Sequence, residues 1–149
     1  MRRQGRKTAD GARSVFYVDG SALSRYLVDL PGSTEWRAWV SAHESAVVTT
    51  PLGLAELRRV ADGLDPARRA LAHDVSERIT VVRFSDQTLA TAAMARSVLS
   101  PFAALHLGAA ASHPEITTVV TYDALLARVA VIYGLSVLTP GARVRWWEE

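Results

Sequence analysis

An apolar, β-prone run at residues 16–18 ends in Asp19, and Gly20 and Ser21 follow it. This order predicts a buried strand that stops at Asp19, a tight turn at Gly20, and a helix that begins near Ser21. In an open parallel α/β sheet, ligands bind at this edge because the loops diverge there and helix N-termini point into the crevice. Asp19 is therefore a candidate site residue, provided that other acids return to the same edge.

Two further acids are predicted to reach that edge. Glu56 stands in the second turn of the helix that follows a short β-branched strand at residues 46–50, and Asp123 follows a strand at residues 116–121. Clustered carboxylates repel one another unless a cation screens them, and oxygen ligands without Cys or His partners suit Mg²⁺ or Mn²⁺. Asp19, Glu56 and Asp123 thus predict a metal site that polarises a phosphodiester and lowers the pKa of a bound water.

Purely structural interpretations of these residues stay open. Glu56 could be a surface residue that pairs with Arg59, and Asp123 could simply cap the helix that follows it. His106 lies in an apolar run, and no second histidine stands at metal-binding spacing, so a core histidine is favoured over a ligand or a base. The basic aromatic ending 143–147 could pack on the body, contact a partner or meet RNA.

The elements that must position the acids follow the order β-α-α-β-α-α-β-α-α-β-α-β. This order predicts an α/β fold, a three-layer α/β/α sandwich with a parallel sheet of about five strands and right-handed crossovers. The chain has 149 residues, of which 49% are hydrophobic, and residues 14–149 suit a single domain. Residues 1–13 carry five basic residues against one acid within a net charge of +2, so they are expected to be a disordered basic leader.

Composition also excludes several classes of protein. Without cysteines there is no disulfide framework and no thiolate metal site, which is compatible with the cytoplasmic location that we expect. No apolar run reaches the length of about 18 residues that a membrane span requires, and the start lacks the apolar core of a secretion signal. A phospho-accepting receiver domain would need a lysine near the site, but Lys7 is the only one. A dinucleotide-binding fold would need a G-x-G-x-x-G loop after the first strand, which is absent.

Four segments occur in the order and at the intervals of a known family: Val18–Leu23, Leu54–Leu57, Ala104–Ala110, and Val120–Asp123 continuing through Gly134–Gly141. Together they resemble the PIN domain, most closely the VapC toxins of bacterial toxin–antitoxin pairs, over residues 15–141. The resemblance implies an endoribonuclease that depends on Mg²⁺ or Mn²⁺, forms a homodimer and is silenced by a VapB-type antitoxin. It matches Asp19, Glu56 and Asp123 to the acidic ligands and Ser21 to the small hydroxyl beside the first of them.

One position departs from the family pattern. An aspartate normally stands just before the Ala-Leu-His-Leu of the third motif, and this chain has Ala103 there. The loss of one carboxylate of four is expected to weaken metal binding and catalysis severely. Two explanations of Ala103 are open. It could be a deliberate inactivating change in a toxin that harms its host, an explanation that the three retained acids favour. It could also reflect natural decay to a PIN module that binds RNA or a protein without catalysis.

Overall fold

A five-stranded parallel sheet forms the centre of the molecule in a computed structural model that describes residues 14–149. The strand order is β3-β2-β1-β4-β5, so the first strand lies in the middle. The predicted α/β/α architecture and the number of strands are confirmed, whereas the predicted disorder of residues 1–13 lies outside the described residues. The strands are β1 Val15–Val18, β2 Val47–Thr49, β3 Thr80–Val81, β4 Ile116–Val120 and β5 Ser136–Leu138.

Seven α-helices cover the two faces of the sheet within residues 14–149, and none of them is long and apolar enough to cross a membrane. Several begin at a side-chain cap followed by proline, as at Thr50-Pro51 and Ser100-Pro101, which fixes their starts locally. The helices are α1 Gly20–Leu23, α2 Ser33–His43, α3 Pro51–Asp62, α4 Pro66–Arg78, α5 Asp86–Ala95, α6 Pro101–Ser112 and α7 Ala124–Ile132.

Two hydrophobic cores lie on the two faces of the sheet, because successive side chains of a strand point to opposite sides. Tyr17 packs with α5, α6 and α7 on one face. Val18 packs with α1 to α4 on the other face, where Trp36 is fully buried. Trp36 is therefore a core residue.

The register of the two central strands places the candidate site. Tyr17 pairs with Val119 and Val18 with Val120, so Asp19 and Thr121 leave the sheet side by side at its C-terminal edge. Two elements of the fold are short. The helix after Asp19 has only four residues before the chain tightens into a 3₁₀ turn, where the Ser24 carbonyl accepts two backbone bonds. Strand β3 has only two residues, Thr80 and Val81, which are exposed at the edge of the sheet.

Candidate active site

A cavity of about 290 Å³ opens at the C-terminal edge of the sheet, and the predicted site residues surround it. Asp19, Glu56 and Asp123 line it together with Ser21 and Ala103, although they come from distant parts of the chain. His106, Gly20, Ser100, Phe102 and Leu126 complete the lining, which contains no lysine or arginine. The cavity therefore presents three carboxylates, and the histidine is the one basic side chain in its lining.

Asp19 is held by its own loop and by the neighbouring strand. Its Oδ1 accepts hydrogen bonds from the Ser21 hydroxyl at 2.7 Å and the Ala22 amide at 3.1 Å, and its Oδ2 accepts one from the Thr121 hydroxyl at 2.7 Å. Burial raises the pKa of Asp19, while the hydrogen bonds from these three donors oppose the rise. Three donors thus fix both oxygens of a carboxylate that is only 4% exposed.

Glu56 reaches the cavity because Gly20 leaves room for it. A Cβ atom at position 20 would lie 2.4 Å from Glu56 Oε1, so the glutamate packs directly over the turn that follows β1. Glu56 Oε1 accepts a hydrogen bond from His106 Nε2 at 2.6 Å. No ion pair with Arg59 forms in the described part of the chain, so the surface pairing that the sequence left open for Glu56 is not seen.

His106 is buried, as the sequence favours, and it also reaches the site. Its Nδ1 lies 2.6 Å from the Tyr17 hydroxyl, which in turn lies 3.1 Å from Thr50 Oγ1. Burial strongly raises the pKa of Tyr17, so the phenol keeps its proton. Tyr17 can therefore donate to Nδ1 while Nε2–H donates to Glu56, and this arrangement defines the tautomer of the ring. The sequence holds no sign of this link, because Tyr17 and His106 are 89 residues apart.

Asp123 combines the two roles that the sequence left open. Its Oδ1 accepts hydrogen bonds from the backbone amides of Leu125 at 3.0 Å and Leu126 at 3.1 Å, so it caps α7. It also lines the cavity and is exposed to solvent. Its backbone amide donates to Thr121 Oγ1 at 3.0 Å, the same hydroxyl that donates to Asp19. Thr121, which sequence reasoning missed as a site residue, thus connects the two aspartates.

Ala103 lies in the first turn of α6, where its backbone amide donates to Ser100 Oγ at 3.2 Å. It is half-buried and forms part of the cavity wall, so a side chain at position 103 borders the same space as the three acids. The carboxylate oxygens of Asp19, Glu56 and Asp123 are donors that suit a hard divalent cation. Across residues 14–149, however, no three His, Asp or Glu side chains are grouped closely enough to hold a metal ion.

Comparisons with known proteins agree with this architecture. A family model described as PIN domain matches residues 16–143. Ribonuclease VapC47 of Mycobacterium tuberculosis (strain CDC 1551 / Oshkosh) is 30% identical over an alignment of 134 residues. The alignment covers 86% of this chain and 98% of that protein.

Two solved structures share the fold. The crystal structure of FitAcB from Neisseria gonorrhoeae superposes with a TM-score of 0.62 at 20% identity, over 83% of this chain and 96% of that one. The structure of FitAB bound to an IR36 DNA fragment superposes with a TM-score of 0.63 at 18% identity, over 87% of this chain and 97% of that one.

Proposed function

This chain belongs to the PIN-domain family, and we propose that it is a ribonuclease toxin of the VapC kind, which hydrolyses RNA phosphodiester bonds with Mg²⁺ or Mn²⁺. The observation that carries the proposal is that Asp19, Glu56 and Asp123, from three separate elements, line one cavity at the C-terminal edge of the sheet. The name of the relative from Mycobacterium tuberculosis, a ribonuclease, supports the same chemistry.

The charge of the cavity supports the need for a metal ion. A phosphodiester that entered it would meet carboxylates and no lysine or arginine, and like charges repel strongly in a partly buried site. Asp19, Glu56 and Asp123 would hold the ion together with a carboxylate at position 103. When bound, a divalent cation lowers the pKa of a coordinated water and stabilises negative charge at the phosphate.

The chain's own residues would orient these ligands. Ser21 and Thr121 hold the two oxygens of Asp19 at 2.7 Å each, and His106 holds Glu56 at 2.6 Å. Ligands that are fixed before the ion arrives lose little conformational freedom on binding it, which favours a defined coordination geometry. Ser21 therefore acts on Asp19 as a supporting residue.

Position 103 determines whether the site works. Alanine at this wall position supplies no oxygen, and the remaining acids form no three-residue metal group within residues 14–149. We infer that the present chain is inactive or impaired, and that a carboxylate at position 103 would complete the metal site. The same observation favours the second candidate function, a degenerate PIN module that binds RNA or a protein partner without cutting.

The resemblance to VapC toxins extends the proposal to partners and location. We propose a VapB-type antitoxin as the protein that silences the active form, a homodimer as the assembled toxin, and the cytoplasm as the compartment where RNA is cut. Co-purification with the product of a neighbouring small reading frame for a DNA-binding protein would test the antitoxin. Sedimentation equilibrium of the isolated chain would test the homodimer.

The decisive experiment restores the missing acid. We expect the Ala103→Asp protein to cut a pool of end-labelled RNA in the presence of Mn²⁺ or Mg²⁺, to stop cutting when the metal is chelated, and to exceed the present chain by at least about 100-fold. Adding Asp19→Asn to the Ala103→Asp protein should abolish the cutting. The control Ala90→Asp, made in the present chain, places the same charge on an exposed position of α5 and should not increase cleavage.

Two outcomes would separate the candidate functions. Metal-dependent cleavage by Ala103→Asp alone supports the nuclease. A folded Ala103→Asp protein that binds Mn²⁺ and RNA but cuts nothing would refute the nuclease and leave the degenerate binding module.

A further inference from the structure

A second cavity has a volume of about 250 Å³. Arg25, Tyr122 and Trp146 line it, together with the loops at Gly32 and Gly141. Ser21, which lines the acid cavity, connects the two linings directly. Its hydroxyl accepts a hydrogen bond from the Tyr122 amide at 2.8 Å, and its carbonyl accepts one from Arg25 Nη1 at 2.7 Å.

Arg25 contributes a positive charge that forms no direct ion pair within residues 14–149. Its Nε donates to the Pro31 carbonyl at 2.9 Å and its Nη1 to the Ser21 carbonyl, and the guanidinium carbon lies 3.6 Å from the centroid of the Tyr122 ring. Arg25 is only 9% exposed and forms no ion pair with a carboxylate in the described part of the chain. A buried charge without an ionic partner is costly, so its retention in a cavity wall needs a reason.

The other walls are held in place before any ligand arrives. Trp146 Nε1 donates to Thr139 Oγ1 at 2.8 Å, and that hydroxyl donates to the Thr121 carbonyl at 2.8 Å, so the indole is tied to the end of β4. Gly141 has a φ of +89°, and a Cβ there would lie 3.0 Å from the Cα of Gly32. The two loops therefore pass each other at backbone contact and form a rigid rim.

This chemistry matches one class of ligand. Unpaired RNA bases stack on aromatic rings and on arginine guanidinium planes, and these contacts carry most recognition of single-stranded RNA. The cavity offers an aromatic wall at Trp146, a cation stacked on an aromatic ring at Arg25, and no carboxylate in its lining. Arg25 could instead serve only to hold α1 against the Pro31 carbonyl, which would explain its hydrogen bonds. That role would not explain why an open cavity lies beside Arg25 or why an indole lines it.

We propose that the cavity lined by Arg25, Tyr122 and Trp146 binds an unpaired RNA base adjacent to the phosphate in the acid cavity. The proposal rests on the proposed function, since it places RNA across both cavities. It makes the cavity a specificity-determining subsite, because a base that stacks poorly there would hold the neighbouring phosphate less well.

Photocrosslinking tests the contact without requiring cleavage. The present chain, with Ala103, is irradiated with a single-stranded RNA of about 12 nucleotides that carries 5-iodouridine, and the crosslinked peptide is mapped by mass spectrometry. We expect the crosslink at Trp146 or Tyr122. Trp146→Ala should lose it and weaken RNA binding by about 10-fold, the order of effect that removing one base-stacking aromatic side chain has.

Two further variants keep the test valid if Trp146→Ala disturbs the C-terminal segment. Ala142→Leu adds bulk to an exposed residue of the lining and should also weaken RNA binding. Val144→Ala, a change in the same segment at a side chain that is 90% exposed and outside the cavity, should leave both crosslinking and affinity unchanged.

The outcomes are distinguishable from those of the nuclease experiment. Crosslinks that map elsewhere, with Ala142→Leu at full affinity, would overturn the base subsite even if Ala103→Asp cuts RNA, and would leave the cavity to a protein partner. An absence of RNA binding would overturn it as well. A crosslink at Trp146 together with an inert Ala103→Asp protein would uphold the subsite and refute the nuclease.

Discussion

Removing one oxygen atom tests the buried hydrogen-bond chain that ends at Glu56. In the Tyr17→Phe variant the ring stays in the core, and only the hydroxyl that contacts His106 Nδ1 at 2.6 Å and Thr50 Oγ1 at 3.1 Å is lost. Thr50 Oγ1 still accepts a hydrogen bond from the Gly53 amide. Because Tyr17 donates its one proton to His106, the Thr50 hydroxyl must donate to Tyr17. The variant therefore leaves two buried groups without a partner: His106 Nδ1 loses its donor and the Thr50 hydroxyl loses its acceptor.

The magnitude follows from that count. A buried polar atom left without a partner costs about 1–3 kcal/mol, and the ring itself creates no cavity because its volume is kept. With two such groups, we expect Tyr17→Phe to lower the free energy of unfolding by at least about 2 kcal/mol. Urea titration followed by circular dichroism measures this change directly.

A double-mutant cycle with Glu56→Ala shows whether the chain acts as a unit. Tyr17 and Glu56 each bond to His106 and not to each other, so any coupling passes through the ring. We expect the double variant to be less destabilised than the sum of the single variants by about 0.5–1 kcal/mol. The control cycle combines Tyr26→Phe with Glu56→Ala, because Tyr26 bonds to Glu44 in the other helical layer. The stability losses of these two variants should add. Additivity in both cycles, or a loss below about 0.5 kcal/mol for Tyr17→Phe, would refute the linked chain.

Two further predictions concern the fold around the site. Gly20→Ala should lower the free energy of unfolding by about 1–3 kcal/mol, because its Cβ would lie 2.4 Å from Glu56 Oε1. Gly63→Ala is the control and should cost less, since its Cβ would meet nothing closer than 3.8 Å. Equal losses of stability in urea titrations of the two variants would contradict this prediction. The hydrogen bond from Arg78 lowers the pKa of Glu44, so the carboxylate stabilises the fold above the ordinary glutamate pKa of about 4.3 and loses that effect as the pH falls through the lowered value. The stability difference between the protein and Glu44→Gln should therefore shrink below pH 4.3, and a constant difference down to pH 3 would argue against it.

The convergence of the acids follows from simple rules. Asp19 and Asp123 come after strands whose last two residues are buried, and parallel strands that are neighbours in the sheet must end at the same edge. The helix that begins at Thr50-Pro51 starts beside that edge, which places the second turn with Glu56 above the turn at Gly20. These are local patterns combined with one topological rule, so the sequence alone suffices to predict them.

The partners of the acids could not be predicted in the same way. Thr121 donates to Asp19 across 102 residues, and His106 donates to Glu56 across 50. Such pairs depend on the register of β1 with β4 and on the packing of α6 against the sheet, which no spacing in the chain encodes. The first helix ends after Leu23, where the Ser24 carbonyl accepts backbone hydrogen bonds from both Leu27 and Val28.

The partners also explain how one alanine can separate folding from chemistry. Asp19 and Glu56 are each held by protein donors, and Asp123 is held by the start of α7, so these three acids keep their places without a cation. Position 103 differs, because its side chain borders the cavity while only its backbone amide takes part in the helix cap. Ala103 also packs at the edge of the core, but an acid at this position would make no hydrogen bond that the helix cap needs, and its main contribution would be to the charge of the cavity. Its exchange for alanine should therefore change metal binding and cleavage while the three-layer architecture persists.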